Sequence, residues 1–356
     1  MGHGSGCFLH LRRETLADKN EPPGHRPGLP GKVISFPIVA LDPAYKAGLR
    51  GTFRPGQSRE VMGIRENWKC GYTSQKEWGW PAAIEIFCGG TAGGTYILSV
   101  LPYLFFSGRI FLPGVAVSLV LVLISVSVLT AESTSVRRVP GAFFNIKSPL
   151  TVGAISLSHF IIFSIATVWI PHTGLATGGL SIVVWLGVAV SLLTILYPGA
   201  LMSLMKAIPF WSGTGPSFLL LSASLLSGSA MVTLAEGPGK VNSSLNRVTL
   251  LLLVIYGLFL LLYTVTGWRS SKTAQMSVRW LIKGHLFPIF IIGVIAMGFV
   301  VPLALYILSS SAFLHYVGSG LIFIGGILIR YSLIAVGVRT SMLSEDSITA
   351  TYWLYR

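Results

Sequence analysis

The sequence predicts an all-α integral membrane protein, a bundle of about eight transmembrane helices behind a long polar N-terminal extension. Three observations predict it. Of 356 residues only 11% are charged and 52% are hydrophobic, with a mean hydropathy of +0.71, and so few charges cannot clothe a water-exposed surface. Apolar runs long enough to cross ~30 Å of hydrocarbon, about 20 residues each, recur beyond residue 80. Those runs lack the alternation of barrel strands, and a backbone without water must satisfy itself, so the spans are helices.

The first element, residues 1–76, is basic and rich in Gly and Pro with no sustained helical or alternating pattern, and is expected to be mostly extended or disordered. A transmembrane domain over 77–340 follows, and 341–356 form a short C-terminal tail. The spans are placed near 82–106, 110–131, 149–170, 178–200, 215–235, 248–267, 286–308 and 315–338. In the first, Gly89, Gly90, Gly93 and Gly94 form small-xxx-small pairs at helical spacing, which lets a neighbouring backbone come close.

An even number of spans puts both termini on one side of the membrane. That side receives the twelve Lys and Arg residues that precede residue 81, together with Arg137, Arg138, Lys147, Lys206, Arg269, Lys272, Arg279, Lys283, Arg339 and Arg356. The other side receives Arg109, Lys240 and Arg247. The positive-inside tendency makes the basic side cytoplasmic and both termini with it, in an inner (cytoplasmic) membrane. A basic face that docks an acidic partner subunit would produce the same asymmetry.

Composition also narrows the chemistry. Cys7, Cys70 and Cys88 are too scattered for a metal or iron-sulfur site. No apolar core like that of a cleaved signal peptide precedes the first span, so insertion is expected to begin with a true spanning helix. His159 is the clearly intramembrane histidine, with His285 at a boundary and His172 and His315 in short loops, which disfavours a haem stack. The inverted internal repeat expected of many transporters is not evident. Neither catalytic metal nor nucleic acid is expected on this chain.

Ionisable groups inside spans cost about 2.5–3.5 kcal/mol on insertion scales and are functional candidates by default. Glu85 lies about one turn inside the first span, Glu132 at the same-side end of the second, His159 near the middle of the third and Arg330 about two turns from the end of the eighth. Tyr197 joins them at the end of the fourth. Glu85 and Tyr197 are the candidate catalytic pair, with Trp80, His159 and Arg330 as further binding residues and Glu132 with Arg330 as a proton route. A phenol and a carboxyl can hydrogen-bond the carbonyls of a quinone head and exchange protons with it. Simpler roles compete: a structural Glu85–Arg330 ion pair, a helix-end position for Glu132, an interhelical hydrogen bond for His159, and headgroup anchoring for Trp78, Trp80 and Trp211.

Several segments resemble the NrfD-type membrane subunits of polysulfide reductase and related molybdopterin oxidoreductases. WGWPAAIEIFCGGTAGG is similar to the family's aromatic opening and glycine-rich first helix, and KSPLTVGAISLSHF to the opening of its third span. YPGALMSLMKAIPFWSGTGPSFLLLSASLLSGSA carries the most specific likeness, and LIKGHLFPIFIIGVIAMGFVVPL with GGILIRYSLIAVG resembles the last two spans. The resemblance implies a membrane anchor that exchanges electrons and protons between a quinone pool, menaquinone or ubiquinone, and an iron-sulfur partner subunit, with molybdopterin on a catalytic subunit. It places the quinone site at Glu85 and Tyr197. The sequence departs from the polysulfide reductase subunit, which has a histidine where Glu85 stands and an asparagine where Ala82 stands. A structural anchor without quinone turnover and a proton-translocating or transporter module are the alternatives.

Overall fold

In a computed structural model, the described residues are 73–75, 78–106, 108–132, 149–172, 177–239 and 243–339. Among them run eight helices long and apolar enough to cross a membrane. The short strand β1 (Thr73–Ser74) precedes α1 (Trp80–Phe105), α2 (Leu112–Glu132), α3 (Pro149–Trp169), α4 (Thr177–Ser203), α5 (Gly215–Glu236) and α6 (Ser243–Arg269). A short helix, α7 (Lys272–Lys283), then leads to α8 (Pro288–Leu308), α9 (Ala312–Ala335) and the strand β2 (Val338–Arg339). The eight spans lie within a few residues of where the apolar runs place them. What is expected of residues 1–72 and of the tail lies outside the described residues, as do the cations of the α2–α3 loop.

Local chemistry explains the ends. Pro81 sits in the first turn of α1, where no intrahelical donor is needed and its fixed φ suits a helix start. Ser271 caps α7 by accepting a hydrogen bond from the Ala274 N–H at 3.2 Å. The first part of α8, Pro288–Val300, is wound as a π-helix and tightens to an α-helix only from Val301.

Two helices occupy the middle. α1 is 78% buried over its most apolar window and α5 67%, against 28–39% for the other six spans, so these two are enclosed while the rest present a face to lipid. α1 packs on α2, α4, α5 and α9 and contributes to both halves of the core. Ala83 and Ile86 join the half built with α5, α6, α8 and α9, while Phe87, Cys88, Ala92 and Tyr96 join the half built with α2, α3 and α4. Small residues make this possible: a Cβ on Gly228 of α5 would lie 2.7 Å from the Gly94 Cα, so the two backbones touch.

At the membrane face where α1 begins, the chain is tied to the end of α9. Thr73 pairs with Arg339 and Ser74 with Val338 in an antiparallel ladder. Gln75 extends the tie, its Nε2 donating to Trp78 O at 2.8 Å and Ile334 O at 2.9 Å while its Oε1 accepts from the Trp78 N–H at 2.9 Å. Trp211 stacks on Trp78 at 5.6 Å between ring centroids and donates Nε1–H to Leu333 O at 2.8 Å. Trp211 is therefore no headgroup anchor. Its ring is 1% exposed, because the segment after α4 folds back over the bundle instead of running along the membrane surface.

Candidate functional site

Glu85 lies in the second turn of α1 and Tyr197 two turns before the end of α4, so both sit just inside the face where α1 begins. The helices bring them together: Tyr197 Oη donates a hydrogen bond to Glu85 Oε1. Both residues are buried, at 6% and 8% exposure, so this is a polar pair enclosed by protein and not an acid reaching for water. Enclosure matters because an interior hydrogen bond is electrostatically stronger than one in water, and losing either partner strands the other.

Neighbouring elements fix the pair. A Cβ on Gly153 of α3 would lie 2.7 Å from Cδ2 and Cε2 of the Tyr197 ring, so the ring fills the place a side chain would take. On the other flank Ser125 of α2 donates to the Glu85 backbone O at 3.1 Å, registering α2 against the turn that carries the acid. Ser125 is not singled out by sequence reading. Gly153 is the glycine of KSPLTVG, the segment that resembles the opening of the family's third span.

The other expected site residues go elsewhere. Arg330 is 1% exposed and enclosed between α9, α5 and α1. Its Nη1 donates to Gly326 O at 2.7 Å and its Nη2 to Ser224 Oγ at 2.8 Å, and its guanidinium carbon stands 5.1 Å from the centre of the Phe87 ring. These two hydrogen bonds tie Arg330 to its own helix and to α5. His159 is exposed on the outer surface of α3, where Nδ1–H donates to Ile155 O at 2.8 Å. It lines no pocket with Tyr197, whose ring packs on the face of α3 that carries Gly153.

Trp80 is 43% exposed and stacks on Tyr331 at 3.9 Å between centroids and 9° between planes, a flat aromatic surface at the rim of the same membrane face. Glu132 is the last residue of α2, and its side chain lies outside the described residues. A cavity of about 10 Å³, the size of one water, lies in the other half of the core, lined by Ser227, Tyr256, Gly298, Gly325 and Gly326 among others. Among the described residues no three His, Cys, Asp or Glu side chains come together.

Among the described residues, eight apolar helices and a buried Tyr197–Glu85 hydrogen bond between α1 and α4 near one face define a multi-pass integral membrane protein. Compared with known protein families, residues 69–341 match the family described as polysulphide reductase, NrfD, well over half of the chain, and the chain belongs to that family. It is thus a membrane subunit of polysulfide reductase-like complexes, whose membrane subunits in general partner with iron-sulfur and molybdopterin oxidoreductase subunits. A search of curated proteins finds no match.

Proposed function

We propose that this chain is a quinone-reactive membrane anchor and that Glu85 and Tyr197 are the groups that trade protons with the quinone head. The observation that carries the reading is the buried hydrogen bond from Tyr197 Oη to Glu85 Oε1. A phenol that already donates to a carboxyl group presents one donor and one proton-exchanging acid at a single point, the arrangement general acid–base chemistry asks for. Structural pairing alone does not require a carboxyl there, because an amide would accept the same hydrogen bond.

The donor set fits a quinone head. When bound, a quinone supplies two-electron, two-proton redox chemistry. Tyr197 Oη turns its hydrogen from Glu85 to a head-group oxygen, and Glu85 gives up or takes back a proton at Oε1. Gly153 and the enclosing helices keep bulk water from the pair. Trp80 and Tyr331 form an aromatic rim on the same face, suited to a flat ring entering from lipid. Arg330 holds α9 against α5 and α1, and His159 faces outward from α3; neither is assigned a part in the exchange.

An iron-sulfur electron-transfer subunit docks on the face where α1 begins, with a molybdopterin catalytic subunit beyond it. The positive-inside asymmetry makes that face cytoplasmic. Quinol-dependent reduction by the assembled complex tests the reading, with wild type compared to Glu85→Gln and Tyr197→Phe. Unchanged turnover in both variants rejects the site, and turnover of the other substrate without any quinol dependence makes the chain a structural anchor.

A further inference from the structure

We propose that the end of α6 and helix α7 together form a binding site for an anionic phospholipid, with Arg279 and Arg269 holding the headgroup phosphate and Trp268 marking the depth at which acyl chain gives way to headgroup.

The apolar part of the site is a stripe on α6. Leu251, Val254, Leu258, Leu261, Val265 and Trp268 recur at alternating steps of three and four residues and are exposed by 40–61%. The opposite face, Leu253, Tyr256, Leu260, Tyr263 and Gly267, is buried in the bundle. The outward stripe therefore runs along the helix toward the face where α1 begins and finishes in an indole, the side chain that prefers the boundary between hydrocarbon and headgroups.

The polar part is supplied by α7. This helix is strongly amphipathic, with Ala274, Ser277, Val278 and Leu281 buried against the bundle. Lys272, Arg279 and Lys283, at steps of seven and four, fall on the opposite side of the helix, and all three are exposed. The turn between α6 and α7 brings that cationic side to the end of the stripe: the Arg279 guanidinium lies over the Trp268 ring, 5.7 Å from its centre. Arg269, the next residue along α6, is also exposed.

Position chooses the occupant. A water-facing cation cluster fits an acidic protein equally well, but Arg279 is seated on a residue of the lipid-facing stripe, at the perimeter of the bundle. An acyl chain lying along Leu258, Leu261 and Val265 delivers its phosphate to the level of Trp268, where Arg279 and Arg269 meet it with planar, multi-donor heads suited to phosphate. Short interfacial helices with cations on one side and apolar residues on the other bind anionic lipid on the same principle.

The test uses the full chain purified in detergent and titrated with phosphatidylglycerol or phosphatidylcholine of the same acyl chains, with retained lipid counted by native mass spectrometry. Wild type is expected to prefer the anionic lipid. Arg279→Gln lowers that preference roughly fivefold, and Arg269→Gln in the same chain lowers it further, as removal of single cations from an anionic surface implies. Arg279→Lys keeps most of the preference, and Arg109→Gln, at the opposite membrane face, leaves it unchanged; both control for folding. Equal retention of the two lipids by wild type overturns the proposal, and so does a preference that survives the double substitution. Displacement of the lipid when the iron-sulfur subunit assembles would give this surface to a protein partner and overturn it as well.

Discussion

Tyr197 Oη donates to Glu85 Oε1 across 112 residues of sequence, joining the second turn of α1 to the end of α4 inside the bundle. The bond makes the two side chains one unit, so their substitutions are not independent. Glu85→Gln and Tyr197→Phe are each expected to lower quinol-linked turnover by about 10²–10⁴-fold, the usual contribution of a positioned acid or base. The double variant is expected to lose little more than either single one. Loss equal to the product of the two single effects, measured in the same assembled complex, would show that the groups act separately.

Gly153 offers a way to disturb the pair without touching it. A methyl at this position would overlap the Tyr197 ring, with Cδ2 and Cε2 both 2.7 Å away, so Gly153→Ala pushes the phenol off Glu85. Overpacking of this kind costs about 1–3 kcal/mol. The variant is expected to assemble with its partners, melt a few degrees lower and turn over quinol as poorly as Tyr197→Phe. Normal turnover in an assembled Gly153→Ala complex would mean that the ring does not need its present position.

What could be read from the sequence divides along a physical line. The spans were legible because the bilayer sets a length and an apolar content that each helix must meet on its own. The depth of Glu85, Tyr197 and Arg330 followed from counting along those helices. Rotation about the helix axis was not legible, because lipid is as apolar as the packed interior and leaves little hydrophobic asymmetry to say which side faces in. His159 shows the consequence: its depth is as expected, but its side chain is exposed while Leu157 and Phe160 beside it are buried. Helix α7 escaped for a different reason, since 12 residues with Lys272, Arg279 and Lys283 are too short and too charged to register as a span. The burial of Trp211 depends on a tertiary contact with Leu333, 122 residues away, which no local pattern announces.

Arg330 supports a prediction about stability. Its two terminal nitrogens hold Ser224 Oγ and Gly326 O, and its Nε has no hydrogen-bond partner. Ser224→Ala leaves Nη2 as an unmatched buried donor and is expected to cost about 1–3 kcal/mol. Arg330→Met removes the charge and fills similar volume, and replacing buried charge by a packed apolar side chain is often close to neutral. Thermal unfolding in detergent should therefore rank Ser224→Ala below Arg330→Met, and Ser224→Ala should do little in the Arg330→Met background. If Arg330→Met keeps its melting temperature while turnover collapses, Arg330 belongs to the chemistry instead of the scaffold.

The compartment of the partner subunits rests on orientation, which gives the last prediction. Glu85, Tyr197, the Trp80–Tyr331 stack and the β1–β2 tie all lie toward the membrane face where α1 begins. An iron-sulfur partner that exchanges electrons with the proposed quinone site near that face is expected to dock on it, because electron transfer across the full bilayer would need further centres within the membrane. The same face carries Lys206, Arg269, Lys272, Arg279 and Lys283, against Arg109 and Arg247 on the other. Short loops with such a bias are retained on the cytoplasmic side during insertion. A reporter fused after Arg356 is therefore expected to be active only as a cytoplasmic fusion, and neutralising Lys272, Arg279 and Lys283 together should weaken that preference. A periplasmic C-terminus would move the acid–phenol pair and its docking face to the other compartment, and the basic residues would then have to be explained by contact with an acidic partner.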